Sequence, residues 1–380
     1  MQPLNHDSII PEKLIKMNDL LHKIALTLIP QVGPVTARNL VSYCGSVPAI
    51  FEAGQRELQR VPGVGPQIAR NILSKETLSR AEEELKFLET HQIEALFYLD
   101  ENYPRRLRNY PDSPPILYYK GQASLNAERT VGIVGTRRPT PHGIRACEEL
   151  VEGLLPYDVT IVSGLAYGID VTAHRKCLEL EMPTIGVLGH GLQQIYPTQH
   201  QPVARAMVHN GGVLSEYPSN TLPDREHFPM RNRIIAGLCD AIIVVETQRK
   251  GGSMITAHMA NDYSKDVFAL PGRVKDPYSE GCNFLIKTHR AALIEGAADV
   301  AYIMRWDELD SSKPVQQQLF VELTEDEKIV VNLLNPDDGV SIDHLAATSG
   351  KPNSELAGIL LELEFKGLIR ALPGKRYILV

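Results

Sequence analysis

Two short apolar runs that each break off at a glycine constrain this chain more than anything else in it. Val131-Gly132-Ile133-Val134 runs into Gly135-Thr136-Arg137-Arg138. The strand-like stretch 159–162 runs into Ser163-Gly164-Leu165-Ala166-Tyr167-Gly168-Ile169-Asp170. An apolar run without polar alternation marks a parallel strand buried on both faces. Two such strands, each followed by helical sequence, call for an open sheet covered by helices, and ligands of such sheets bind beyond the carboxyl ends of the strands. The alternation continues. Strands are expected at 131–134, 159–162, 184–188, 212–214, 241–245 and 267–269, with helices at 141–154, 167–180, 198–209, 230–238 and 253–264. The class is α/β, a doubly wound sheet.

The flanks read differently. Val32-Gly33-Pro34-Val35-Thr36-Ala37-Arg38-Asn39 matches Val64-Gly65-Pro66-Gln67-Ile68-Ala69-Arg70-Asn71 at an offset of 32. A glycine turn, a proline at a helix start and an alanine one turn on describe helices joined by a hairpin. Backbone N–H groups of such a turn can face a phosphate. The pattern resembles tandem helix-hairpin-helix motifs, with Gln31 where the second copy has Gly63. It equally suits a packing module that binds nothing, since its surroundings are acidic. Residues 76–91 read as a charged helix with Glu82-Glu83-Glu84 on a solvated face. Proline density over 103–121 predicts an extended connector rather than helix, leading into the sheet near residue 129. Residues 310–318 form a polar linker. Helices at 324–334, 341–348 and 353–367, then a hairpin of 368–372 and 376–380 turning at Pro373-Gly374-Lys375, predict a winged helix. Three domains result: a helical one over 1–90, the sheet domain over 91–309 and the winged helix over 319–380.

Composition narrows the function classes. No apolar run reaches the ~20 residues that span a bilayer, so no membrane association is expected. The N-terminal sequence lacks a basic region followed by an apolar one, so no secretory signal is expected. The five cysteines are far apart and read as free thiols of a reducing, cytoplasmic compartment, and no pair has zinc spacing. The net charge of −7 is uneven: residues 105–300 carry 21 basic and 20 acidic side chains, while both flanks are acidic. Any nucleic-acid site must therefore be a local basic groove.

The loops at the sheet's edge supply one. Gly135, Thr136, Arg137 and Arg138 join a strand to a helix N-terminus, whose free N–H groups and positive dipole suit a phosphate. Lys250, Gly251, Gly252 and Ser253 form a second cradle. Ser163 and Gly164 end the second strand at the same edge, and Arg231 and Arg233 flank it, although one could pair with Glu216 or Asp240. Two phosphate sites on one edge suit a polynucleotide backbone. No third glycine completes a dinucleotide fingerprint and no Walker lysine is present, so no nucleotide cofactor is expected. Asp170 and His174 stand one helical turn apart and could bond each other; with Glu216, His190 and Ser163 they are the residues to weigh for catalysis. A metal cluster is not apparent, and neither a catalytic residue nor a metal site is assigned.

The set as a whole resembles DNA-processing protein A, the DprA/Smf family. The resemblance rests on Gly135-Thr136-Arg137, the run 163–170 with Ala173-His174, Leu214-Ser215-Glu216, Phe228-Pro229 with 231–238, Lys250-Gly251-Gly252-Ser253 with Thr256-Ala257, and Ala269-Leu270-Pro271-Gly272. It covers residues 100–300 closely and the ends more loosely. It implies an extended Rossmann fold, single-stranded DNA binding, homodimerisation and loading of RecA recombinase during natural transformation, with Arg137 and Lys250 touching DNA. Gln193 departs from the family, in which many members carry aspartate.

The competing class is a nucleotide-binding protein or nucleoside-monophosphate N-glycosidic hydrolase of the lysine-decarboxylase-like fold. Those enzymes carry a catalytic glutamate after their glycine pair, whereas residues 253–260 here contain no acidic side chain. The charge distribution further leads one to expect that residues 100–300 alone keep most of the single-strand affinity.

Overall fold

The computed structural model describes residues 12–306, 323–334, 339–372 and 375–379. The chain divides into two compact units, residues 1–306 and 307–380. The linker expected at 310–318 and the Pro373-Gly374 turn lie outside the described residues.

The first unit is built on a nine-stranded sheet. Its strands are β1 (Glu94–Phe97), β2 (Ile116–Gly121), β3 (Arg129–Val134), β4 (Val159–Ser163), β5 (Thr184–Leu188), β6 (Gly212–Ser215), β7 (Ala241–Val244), β8 (Asp266–Ala269) and β9 (Ala292–Leu293). Their spatial order is β1-β2-β6-β5-β4-β3-β7-β8-β9. All pairs from β6 to β9 are parallel, and β1 and β2 are antiparallel. The six strands read from apolar runs are present. The period-two alternation sorts them between two cores. Val131, Ile133, Ile161 and Ile243 pack with the helices Pro141–Leu154 and Ile169–Glu179. Val134, Val162, Ile242 and Val244 pack with His227–Leu238 and Gly252–Asp262. Each such side chain stabilises the sheet by ~1.5–3 kcal/mol when fully buried.

Topology then fixes where a ligand can sit. From β3 the chain steps outward through β4, β5 and β6, and returns to lay β7 on the other side of β3. The helices after β3 and β7 leave to opposite faces, which opens a crevice between the two strand ends.

Two readings of the lead-in need correction. The segment 103–121 is not an extended connector: Arg105–Arg108 is a helical turn and Ile116–Gly121 is β2, so the sheet begins at residue 94 rather than near 129. Arg106 also clamps Asp240 at 2.6 Å. Nor does the run Glu82-Glu83-Glu84 lie wholly on a solvated face. Glu84 is 1% exposed and accepts from Arg80 Nη2 and the Ser219 N–H, both at 2.8 Å. The helical module therefore does not stand apart: Ile24, Leu26, Leu40 and Ile72 share one core with Phe97, Ile116 and Val134.

The second unit is the expected winged helix. Glu325–Leu333, Ile342–Ser349 and Asn353–Phe365 close around Val330, Leu345, Leu356, Leu360 and Leu363. The strand Arg376–Leu379 pairs with Ile369–Leu372 on one side and Val340–Ser341 on the other.

Candidate nucleic-acid interface

The crevice between β3 and β7 is a cleft of about 650 Å³, walled by residues 134–137 after β3, 247–256 after β7 and 225–235 opposite. Two contacts tie its walls across the switch point. The Thr136 N–H donates to the Glu246 carbonyl at 2.6 Å. The Glu246 carboxylate accepts the Thr140 N–H at 2.9 Å and the Thr140 hydroxyl at 2.6 Å, and Thr140 in turn caps the helix that starts at Pro141.

Arg137 and Arg138 are exposed on this frame, and Arg137 stands with its guanidinium 5.7 Å from the Phe228 ring centroid. Lys250 is exposed at the rim, next to Gly251 in the wall. Neither Arg137 nor Lys250 has a carboxylate partner among the described residues. The helix Gly252–Asp262 begins at the cleft with no side-chain cap, which leaves its first N–H groups for a ligand. A side chain at Gly251 would strike the Thr247 hydroxyl. The Ser253 hydroxyl instead donates to Thr247 at 2.7 Å and is buried, so it shapes the turn.

Other expected site residues prove to be the scaffold beneath. Ser163 is fully buried and donates to the Ile133 carbonyl at 2.6 Å. Gly164 leaves room for the Arg231 guanidinium, which would collide with any side chain there. Gly168, at φ +81°, lets the Thr136 carbonyl approach and accept from the Ile169 N–H at 3.2 Å. The run 163–170 thus holds the 135–138 loop from behind, with Ala166 and Asp170 reaching the cleft wall.

Arg231 and Arg233 do not flank the site as free cations. Arg231 is 4% exposed at the cleft floor and donates to the Val187 carbonyl at 2.8 Å. Burial lowers it to about 10, opposed by Asp170. Asp170 is pushed up by the same burial and held down by Arg231. Arg233 points away into an ion pair with Glu216 at 2.6 Å, one of the alternatives the sequence left open. Asp170 and His174 do not bond each other. Thr184 donates its hydroxyl to the Ile161 carbonyl, so it can only accept from His174 Nδ1, 2.7 Å away. Nδ1 therefore carries a proton, and burial, which depresses the imidazole to about 3 and leaves Nε2 without a partner, keeps the ring neutral. His190 is likewise structural: it bonds the Gly191 carbonyl through Nδ1 and accepts the Tyr196 N–H at Nε2. Gln193 accepts from the Asn220 N–H and lies outside the cleft wall.

Among the wall residues not assigned from the sequence are Arg225, Tyr196 and Phe228. Tyr196 is about half exposed, its ring 5.8 Å from that of Phe228. The signal was there in Tyr196-Pro197 and Phe228-Pro229, since an aromatic held by a proline in a ligand-facing loop has no core to enter. The cleft therefore combines exposed cations with two aromatic rings. Among the described residues no group of three or more His, Cys, Asp or Glu side chains is gathered as metal ligands would be.

Comparison with known proteins agrees with this architecture. The family model for DNA recombination-mediator protein A matches residues 94–305, that for the DprA winged helix domain 316–375, and that for the SAM-like helix-hairpin-helix tandem 23–78. The chain is 33% identical over 389 residues to Protein Smf of Synechocystis, covering 93% of this chain and 97% of that one. It is 41% identical over 194 residues to DNA processing protein DprA of Bacillus subtilis, covering 51% and 65%. The structure of DprA from Streptococcus pneumoniae superposes with a TM-score of 0.66 at 31% identity, over 75% of this chain and 97% of that one. DprA from Helicobacter pylori gives 0.52 at 33% identity, over 57% and 97%. With the family models matched over the sheet domain, the helical module and the winged helix, and a relative 33% identical over 93% of this chain, the chain belongs to the DNA recombination-mediator protein A family, DprA/Smf.

Proposed function

We propose that this protein binds single-stranded DNA in the switch-point cleft with little sequence preference, shields it, and passes it to RecA recombinase during DNA uptake and recombination. The carrying observation is the pairing of exposed Arg137 and Lys250 with the uncapped start of Gly252–Asp262 and the rings of Tyr196 and Phe228. Cations and a helix N-terminus take the phosphates, and rings stack on bases, each of which has a π-face whatever its sequence. The Helicobacter pylori relative was described for its single-stranded DNA binding mode, which supports the same reading here. Contacts are assigned to Arg137, Arg138, Lys250, Gly251 and Gly252, with Arg225, Tyr196 and Phe228 added. Ser163, Gly164, Arg231, Arg233 and Ser253 support them. The protein acts as a cytoplasmic homodimer and turns over no substrate. The one carboxylate in the cleft wall, Asp170, faces Arg231, and nothing acidic follows Gly251-Gly252 where the hydrolases place theirs.

A salt titration of binding to single-stranded and duplex oligonucleotides tests the reading. Tighter single-strand binding that weakens steeply with salt is expected. Equal affinity for the two forms, or a flat salt response, rejects it. Base release from a nucleoside monophosphate, lost in Asp170→Asn, would restore the hydrolase alternative.

A further inference from the structure

The cleft does not end at Lys250. The loop after β8, residues 270–281, lies directly against the loop after β7. The Thr247 N–H donates to the Tyr278 carbonyl at 2.8 Å, and the Gly281 N–H to the Thr247 carbonyl at 2.9 Å. The β8 loop is itself pinned. Gly272 and Asn283 exchange two hydrogen bonds, at 3.1 and 2.9 Å, and Asp276 accepts the Tyr278 N–H at 2.9 Å. This braced tip presents Arg273, Val274 and Lys275 to solvent, with Val274 89% exposed. On the adjoining loop, Arg249 is held with its guanidinium 4.0 Å from the Phe284 ring centroid. Among the described residues none of Arg249, Lys250, Arg273 and Lys275 has an ion pair. Four unneutralised cations thus stand on two loops bonded to each other, contiguous with the cleft.

The surroundings decide which way a polyanion can run. Behind Arg273 opens a second cleft of about 760 Å³, lined also by Glu149, Glu246, Asp276 and Glu295. Four carboxylates repel phosphate from that interior and leave the basic rim as the route. Because the rim loops are braced, their cations meet a phosphate with little backbone ordering.

We propose that the strand held in the switch-point cleft continues over residues 249–250 and 273–275, where Arg273 and Lys275 hold the phosphates of the next nucleotides. The proposal rests on the single-stranded DNA reading of the cleft and gives that site a direction and a second segment.

Binding of the full chain to oligothymidylates of about 4 to 20 nucleotides tests it. In the unaltered protein affinity rises with length past the few nucleotides the cleft accommodates. In Arg273→Ala/Lys275→Ala the rise stops at a shorter length. Affinity for the longest oligomer falls about tenfold and its salt slope by roughly 1.4, from ~0.7 per lost phosphate contact. The shortest oligomers bind as before. Arg273→Glu/Lys275→Glu gives the same pattern more strongly. An unchanged length dependence in both variants overturns the proposal, as does an equal loss at all lengths. Arg137→Ala separates the two readings, because unaltered binding of the shortest oligomers by that variant rejects the cleft itself.

Discussion

Asn39 and Asn71 each tie down the hairpin that belongs to the other. Asn39 Nδ2 donates to the Pro62 carbonyl at 3.1 Å, and Asn71 Nδ2 to the Pro30 carbonyl at 3.3 Å. Donors and acceptors are both 32 positions apart, so the repeat in the sequence becomes an approximate two-fold in space. The symmetry extends to the turn: Gly63 sits at φ +85° and its counterpart Gln31 at φ +69°. Gly63→Ala is therefore expected to cost about 1–2 kcal/mol, the strain of a left-handed residue with a Cβ. Gln31→Gly is expected to stabilise, by less than about 1 kcal/mol because the unfolded chain also gains freedom. Gly65, at φ −86° with nothing within 4 Å of a Cβ, tolerates alanine. Urea denaturation of the three variants measures this, and equal effects at 63 and 65 would show that the turn is not held as described.

Four basic residues of the site separate into two behaviours. Arg137→Ala is expected to weaken single-strand binding by about 1–3 kcal/mol, as a lost charge-assisted bond does, with the melting temperature unchanged. Lys250→Ala follows it. Arg233→Ala strands the buried Glu216 carboxylate, whose Oε1 already has no partner, and is expected to cost about 3–5 kcal/mol of stability. Arg231→Ala removes the charge that holds Asp170 down and leaves the Val187 carbonyl without its donor, and is likewise expected to destabilise the fold. A DNA titration beside a thermal melt on each variant distinguishes the classes; an Arg231→Ala protein with normal stability and lost binding would return Arg231 to the contact surface.

That contrast shows what the sequence could disclose. The parallel strands were legible because burial on both faces writes an unbroken apolar run, as at 131–134. β1 and β2 were not: Glu94-Ala95-Leu96-Phe97 is only four residues long and opens on a charge, and Ile116–Gly121 follows two prolines, so only the pairings of Leu96 with Leu117 and of Tyr119 with Leu214 make them strands. The exposed placement of Arg137 and Lys250 at the cleft was legible because a cation beside a glycine turn at a strand end has no core to enter. Arg231 and Arg233 carry the same charge, but which way they face depends on how the helix His227–Leu238 rolls against the sheet, and no local pattern records that. Tyr196 and Phe228 were hidden by the opposite bias, since an aromatic ring reads first as core.

Glu82, Glu83 and Glu84 are indistinguishable by composition and should differ sharply on substitution. Glu84→Ala leaves the buried Ser219 N–H without its acceptor, while part-buried Arg80 keeps the Ser219 carbonyl, and about 1–3 kcal/mol of destabilisation is expected. Glu82→Ala and Glu83→Ala stay within about 0.5 kcal/mol. Glu84→Gln should recover part of the loss, because an amide oxygen can still accept from Ser219. Chemical denaturation of the set decides it, with three similar values as the contrary result.

His174 makes stability depend on pH in a defined direction. Its folded value, about 3, lies below the ordinary 6.5, because burial excludes the imidazolium, helped by His200 and Arg231. Below about 6.5 the unfolded chain takes up a proton that the native chain refuses, so stability falls as pH drops toward 3. Asp170 and Glu216, both raised by burial, run the other way, since the native state protonates them first. Comparison with His174→Gln removes their contribution. The stability advantage of the unaltered protein over that variant should shrink by about 2 kcal/mol between pH 7.5 and 5. A pH-independent difference would mean that His174 is not held neutral.

The two ends of the chain should respond oppositely to truncation. The charge distribution led to the expectation that residues 100–300 would suffice for binding. The structure moves that boundary at both sides. Cutting at 100 deletes β1, bares the hydrogen-bonding edge of β2 and removes Leu96 and Phe97 from the core they share with Ile116. It also removes Glu84, and with it the anchor of Ser219. Cutting at 300 deletes Trp306, which is 3% exposed and packs with Val300 and Ala301 under the sheet. A fragment of residues 100–300 is therefore expected to aggregate, through an unpaired strand edge and exposed apolar surface. A fragment ending at residue 306 keeps every buried contact of the first unit, and its single-strand affinity should stay within about tenfold of the full chain. Its one tryptophan reports folding directly, by the emission of a buried indole that shifts red on unfolding. Should the 1–306 fragment fold yet lose more than about 100-fold in affinity, near 2.7 kcal/mol, the main DNA contact belongs to the winged helix and the cleft is secondary.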